Sequence, residues 1–198
     1  MDPIRLRTAQ ETDVGRMLAV YAPYVTGSTA TWEYAVPSRD EMLARLEEHR
    51  AQGFPWLVAE GAQGMMGYAY AGRFAQRRGY DWDAELSIYL SQDARGNGIG
   101  KALYAALLAL LAKQGYCRCY ALVTHPNEAS EAFHRALGFR EEARLEKIGY
   151  KLGRWLDLSY YSIALREPPV QPRPPRPLAQ LDEAAVRTIL DRAAAMIR

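Results

Sequence analysis

The sequence predicts an α+β domain, and three patterns carry that expectation. Short runs alternate apolar and polar residues with the period of two expected of half-buried strands. Longer runs repeat apolar residues every three to four positions, as helices with one buried face do. Glycine-rich turns separate the two kinds. The chain has 198 residues, 49% of them hydrophobic and 24% charged, enough to bury one good core and to exclude disorder over most of its length. A net charge of +2 and the lack of a basic stripe give no reason to expect a nucleic-acid partner. Residues 1–7 hold no hydrophobic secretory region, and the longest apolar run, 102–112, is too short to span a bilayer. A cytoplasmic protein with no membrane partner is expected.

Residues 4–7 read as a short strand. An amphipathic helix begins near Glu11, Thr12 and Asp13 and carries Val14, Met17, Leu18 and Tyr21 inward. Ser38 and Glu41 have the spacing of a capping box, which opens a second helix to about Arg50 with Met42, Leu43 and Leu46 on its inner face. Runs 55–60 and 65–74 read as strands joined by hairpin chemistry at Gly61, Ala62, Gln63 and Gly64. After a loop over 75–83 comes a strand with Leu86, Ile88 and Leu90 on one face and Glu85, Ser87 and Tyr89 on the other. A helix follows, with Ile99, Ala102, Leu103, Ala106, Leu107, Leu110 and Leu111 as its stripe. A strand through Val123, a helix near 127–137 and strands near 141–150 and 155–165 complete a mixed order with one central crossover.

Segment 167–177 holds six prolines and cannot supply ladder donors, so an extended linker should divide a 1–166 domain from a terminal helix over 178–198. The stripe Leu181, Ala185, Ile189, Leu190, Ala193, Met196 and Ile197 needs a surface, either its own domain or a second subunit. Cys117 and Cys119, two apart in a strand, point to one face and read as buried thiols. His49, His125 and His134 show no zinc-like spacing, so no metal is expected.

The loop Arg95, Gly96, Asn97, Gly98, Ile99, Gly100, Lys101 lies between a strand and a helix, a geometry that aims backbone N–H groups and a helix's positive end at one point. A phosphorylated ligand fits there. A P-loop requires Gly and Ser or Thr where Arg95 and Ala102 stand. A dinucleotide fingerprint requires Gly at Lys101 and an acidic residue near Arg118, Cys119 and Tyr120. Both fail. What remains is Arg-x-x-Gly-x-Gly, at Arg95, Gly98 and Gly100, and this segment resembles the coenzyme A pyrophosphate loop of GCN5-related N-acetyltransferases (GNAT). Further on, Asn127-x-x-Ser130-x-x-Phe133-His134-x-x-x-Gly138-Phe139 resembles the family's pantetheine-proximal segment. The runs Tyr80-Asp81-Trp82-Asp83-Ala84-Glu85, Pro55 to Glu60, Ala69 to Gly72 and Leu137-Gly138-Phe139 are similar to the phosphinothricin N-acetyltransferase branch, so that the resemblance spans about 3–166.

The resemblance implies the GNAT fold: a mixed, mostly antiparallel central sheet flanked by helices and splayed where acetyl-CoA binds. It implies Ile88, Tyr89 and Leu90 as backbone partners of pantetheine, Gly96 through Lys101 on the pyrophosphate with Arg95 adding charge, and Asn127 near the pantetheine arm. Glu85 stands at the family's catalytic carboxylate. His134 stands where many relatives have a proton-donating Tyr, and is open between that task and packing. For the amine, Arg77 stands where a substrate-contacting Arg is found, in a pocket that includes Ala75, Gln76, Tyr80, Glu85, Leu86 and Ser87. The Lys of herbicide-detoxifying relatives is Ala75 here, which favours a neutral side-chain head, such as methionine sulfoximine or sulfone, over doubly anionic phosphinothricin. Trp32 and Tyr34 are open between an aromatic pocket wall and ordinary packing. A homodimer is expected, with residues 150–157 near the partner's pocket. Two other functions stay open: acetylation of a protein N-terminus or lysine, and acyl-CoA binding without catalysis.

Overall fold

The computed structural model describes residues 4–197, so the first three residues of the expected domain and Arg198 of the terminal segment lie outside the described residues. In chain order the elements are β1 (Arg5–Thr8), α1 (Val14–Gly27), α2 (Arg39–Ala51), β2 (Trp56–Gly61), β3 (Gly64–Arg73), β4 (Asp83–Leu90), α3 (Ile99–Gln114), β5 (Arg118–His125), α4 (Glu128–Ala136), β6 (Arg140–Lys151), β7 (Arg154–Ala164) and α5 (Glu183–Ala194). Seven strands form one sheet in the order β1-β2-β3-β4-β5-β7-β6. Neighbours are antiparallel except β4 and β5, which run parallel because α3 carries the chain back across the sheet between them.

That crossover creates the feature on which function depends. β4 and β5 pair from Asp83↔Arg118 to Leu86↔Ala121 and no further. Beyond that point β4 stays on β3 as far as Leu90↔Gly67, while β5 stays on β7 as far as His125↔Asp157. The sheet therefore opens at its centre.

The period-two alternation sorts the side chains onto two faces. Leu57, Ala59, Ala69, Ala71 and Leu86 pack under α3, whose Leu103, Leu107, Leu110 and Leu111 are fully buried. Trp56, Val58 and Tyr68 meet Val14, Met17, Val25, Met42 and Leu46 of α1 and α2 on the other face. Burying a side chain of that size stabilises by about 1.5–3 kcal/mol, so the two faces supply most of the driving force. The capping box at Ser38 is formed: its hydroxyl accepts from the Glu41 N–H at 3.2 Å, and the Glu41 carboxylate accepts from the Ser38 N–H at 2.6 Å. β2 and β3 are joined through Gly61 and Gly64, which face one another across the turn.

Two local expectations need adjustment, and a third, the surface for the terminal helix, is decided. β5 starts at Arg118, so Cys117 precedes the strand, although both thiols are buried and free. The proline segment forms neither helix nor strand and is strapped down. Trp82 Nε1 donates to the Arg173 carbonyl at 2.9 Å, Gln114 Nε2 donates to the Arg176 carbonyl at 2.8 Å, and the Leu178 N–H donates to the Gly53 carbonyl at 2.9 Å. Finally, Leu181, Leu190 and Ala193 join the core beneath the sheet, where α5 lies on α3 and β1. The reason is that α3 is apolar nearly all round and needs cover on the side away from the sheet.

Candidate active site

Where β4 parts from β5, a cavity of about 690 Å³ opens between Ser87, Ile88 and Leu90 on one side and Val123, Asn127 and Ser130 on the other. The Ser91 N–H donates to the Met66 carbonyl across the β3 side. Because peptide groups alternate along a strand, those of Ile88 and Leu90 face the gap and those of Tyr89 face β3. Tyr89 is nonetheless among the residues that line the cavity. At the gap's end the chain turns into α3 through Gly96 and Gly98, with φ of +83° and +82°, left-handed values that other residues adopt at a cost. Gly98 is the N-cap of α3 and offers no side-chain cap. The first N–H groups of that helix, at Ile99, Gly100 and Lys101, therefore keep their donors free for an anion, and the helix dipole favours one. A side chain at Gly100 would meet Phe133 at 3.2 Å and Leu90 at 3.3 Å, so glycine there lets the helix start close to both β4 and α4. Arg95 and Asn97 are exposed at the loop's rim.

On the other face of β4, Glu85 lies opposite Gly72 of β3 and beside Tyr120 of β5, at the last pairs before the sheet opens. Burial pushes its carboxyl pKa above the ordinary value, and among the described residues no group hydrogen-bonds to it. Around it the face is aromatic. Trp56 stacks on Tyr70 at 4.1 Å, and Phe74 stacks on Tyr120 at 4.1 Å with Tyr80 edge-on at 6.1 Å. Tyr70, opposite Ser87, is pushed up to about 12 by burial and stays protonated.

His134 is 3% exposed and both ring nitrogens are engaged. Nδ1 lies 2.7 Å from the Ser130 carbonyl, to which it must donate, leaving Nε2 to accept from the Tyr104 hydroxyl at 3.2 Å. Burial lowers the imidazole pKa, so the ring is uncharged at neutral pH. Tyr104 lines the cavity, and burial raises its pKa far above the ordinary value. The sequence held a signal for Tyr104: it is the one residue with a polar group inside the apolar run 102–111, and a buried phenol requires a partner. Asn127 also lines the cavity, its Oδ1 accepting from the Ser130 N–H at 3.3 Å as the N-cap of α4.

The expected amine-side residues are divided. Leu86 and Ser87 line the cavity. Ala75, Gln76, Arg77 and Tyr80 lie in the loop between β3 and β4, and Arg77 forms no ion pair among the described residues, whereas its neighbours Arg73 and Arg78 lie against Asp81. Trp32 and Tyr34 sit at the far end of β6 and β7. A side chain at Gly149 would collide with the Trp32 indole, and the Tyr34 hydroxyl donates to the Tyr150 carbonyl. Neither lines the central cavity.

A splayed sheet edge, a glycine turn feeding an uncapped helix and a half-buried carboxylate across the strand define a transferase site for a phosphorylated acyl donor. A family model described as an acetyltransferase (GNAT) domain matches residues 6–159, and the chain belongs to that family. It is 33% identical over 179 residues to a phosphinothricin N-acetyltransferase of Streptomyces viridochromogenes, covering 90% of this chain and 97% of the relative. It is 34% identical over 161 residues to an L-methionine sulfoximine/L-methionine sulfone acetyltransferase of Pseudomonas aeruginosa, covering 81% and 94%. A crystal structure of a GNAT superfamily phosphinothricin acetyltransferase from Sinorhizobium meliloti in complex with AcCoA superposes with a TM-score of 0.82 at 36% identity, covering 86% of this chain and 94% of that one. The protein is an acetyl-CoA-dependent N-acyltransferase. Among the described residues no cluster of His, Cys, Asp and Glu could hold a metal ion, and no helix is long and apolar enough to cross a membrane.

Proposed function

We propose that this enzyme acetylates the amine of a small amino acid of the methionine sulfoximine, methionine sulfone or phosphinothricin type, with Glu85 as general base. The observation that carries the proposal is Glu85 itself: a half-buried carboxylate, without a hydrogen-bond partner among the described residues, at the edge of the opening between β4 and β5. Acetyl transfer requires that an ammonium lose its proton so that the nitrogen lone pair can attack the thioester carbonyl. Burial disfavours the charged carboxylate and so makes it a stronger base. Glu85 takes the proton directly or through one water.

The Arg77 guanidinium, which has no ion-pair partner among the described residues, suits the acceptor's carboxylate, which it can grip with two parallel hydrogen bonds. Ala75 leaves no second cation at the adjoining position, which favours methionine sulfoximine or sulfone over phosphinothricin. His134, uncharged and turned toward Tyr104, acts by holding that hydroxyl at the cavity wall.

Two copies of the chain pair through the β6–β7 end. β6 is an edge strand exposed along most of its length, and Ile148, Tyr150, Leu152 and Trp155 stand out from this hairpin, Trp155 with 61% of its surface exposed. Thiol release from acetyl-CoA with methionine sulfoximine, phosphinothricin and a peptide amine tests the substrate. Turnover of the peptide alone sinks the proposal, as does full activity in Glu85→Gln. Light scattering of Trp155→Glu tests the pairing, with a monomer expected.

A further inference from the structure

Tyr24, near the C-terminal end of α1, has a hydroxyl in which every hydrogen-bonding position is used. It donates to the Leu90 carbonyl at 2.7 Å and accepts from the Leu90 N–H at 3.1 Å and from Arg95 Nη2 at 3.2 Å. The Arg95 guanidinium also lies 5.6 Å from the centroid of the Tyr24 ring, and that ring meets Tyr89 edge-on at 5.2 Å. A phenol carries one proton and two lone pairs, so this oxygen has no capacity left for a ligand. It acts on the protein.

The groups it holds are the two ends of one segment. Leu90 is the last residue of β4, and its gap-facing peptide groups have no strand beside them among the described residues. Arg95 directly precedes the glycine turn that leads to the N-terminus of α3. One oxygen therefore ties the end of the strand to the start of the turn. We infer that Tyr24 is a positioning residue of the acetyl-CoA site: through Leu90 and Arg95 it fixes the segment 90–95, so that the free N–H groups of α3 are aimed before the donor arrives. A loop ordered in advance spends less of its binding energy on ordering itself. The inference rests on assigning this loop to the donor's pyrophosphate, and it is independent of the amine.

Tyr24→Phe removes the oxygen and keeps the ring with its contacts to Tyr89 and Arg95. Binding is measured without any acceptor, by calorimetry with coenzyme A and by NMR titration with pantetheine, which lacks the pyrophosphate and nucleotide. The expected result is a Kd for coenzyme A raised about 5- to 20-fold, in line with losing two or three modest hydrogen bonds, and a Kd for pantetheine unchanged. Equal weakening of both ligands would mean general damage to the cleft and would overturn the inference. So would an unchanged Kd for coenzyme A, or a tighter one, the latter showing that Tyr24 competes with the donor for the Leu90 edge. Arg95→Ala separates the two levels. If coenzyme A binds that variant as it binds wild type, the loop assignment itself falls; if that variant is weakened while Tyr24→Phe is not, the role of Tyr24 alone falls.

Discussion

The proposed donor side, residues 88–101, relies mainly on backbone groups, whereas the proposed acceptor side, from Glu85 out to residues 75–82, relies on side chains. On the proposed donor side the open groups are the gap-facing peptide groups of Ile88 and the first N–H groups of α3, aimed by two glycines in left-handed conformations, while those of Leu90 are bonded to Tyr24. On the proposed acceptor side they are one carboxylate, one guanidinium with no ion-pair partner among the described residues, and an aromatic floor. A backbone site is set by φ angles and by where a helix starts, so most side-chain changes leave it intact. A side-chain site changes its ligand with a single substitution, and the Ala at position 75 is proposed as such a change.

That contrast can be broken or sharpened by four variants. The largest effect is expected from Glu85→Gln, which should lower kcat about 10²- to 10⁴-fold, the range lost with a general base, while the KM for acetyl-CoA stays put. The same variant should melt at a higher temperature at pH 7. A carboxyl whose folded-state pKa is raised above its ordinary value of 4.5 stabilises the fold in acid and loses that contribution as pH rises through the folded pKa. At pH 7 the buried charge is a burden that Gln lacks, and the two melting curves should converge below pH 4.5. Next, Arg77→Ala should raise the KM for the amino acid about 10- to 100-fold, the worth of a charged hydrogen-bonded pair, with no change toward acetyl-CoA. A matching loss toward acetyl-CoA would erase the division between the two sides. Gly98→Val should do the reverse. Forcing a branched residue to a positive φ costs about 1–2 kcal/mol, so the KM for acetyl-CoA should rise about tenfold with kcat and the amine unaffected. The smallest effect belongs outside the cleft: Ser38→Ala removes the cap of α2 and should cost about 1 kcal/mol of stability in urea denaturation, with wild-type kinetics.

Much of this could be read along the chain. Alternation over 84–90, the helical stripe behind Arg95–Lys101 and the capping box at Ser38 are local patterns, and the elements they name formed where their periods placed them. The glycine loop was legible for the same reason, because a left-handed turn before a helix demands glycine at fixed spacing. The prolines told that the segment would form neither helix nor sheet strand but not where it attaches, since the groups that strap it, Trp82 and Gln114, are remote in sequence. Trp32 and Tyr34 were ambiguous because an aromatic residue packs equally well on a ligand or on a glycine, and Gly149 lies far along the chain. Tyr24 carried no local signal of its role, and Tyr104 signalled only that it needed a partner, for a hydroxyl's work depends on which remote group it faces.

By itself the sequence determined the α+β order, the glycine turn before α3 and the place of Glu85 on its strand, because these depend on residue periodicity and on conformations a few residues long. Tertiary structure alone decided where β4 leaves β5, that His134 spends its Nε2 on Tyr104, and that the Tyr24 oxygen joins Leu90 to Arg95. Each of these is a contact between distant segments, and its partner is chosen by how the sheet and helices pack together.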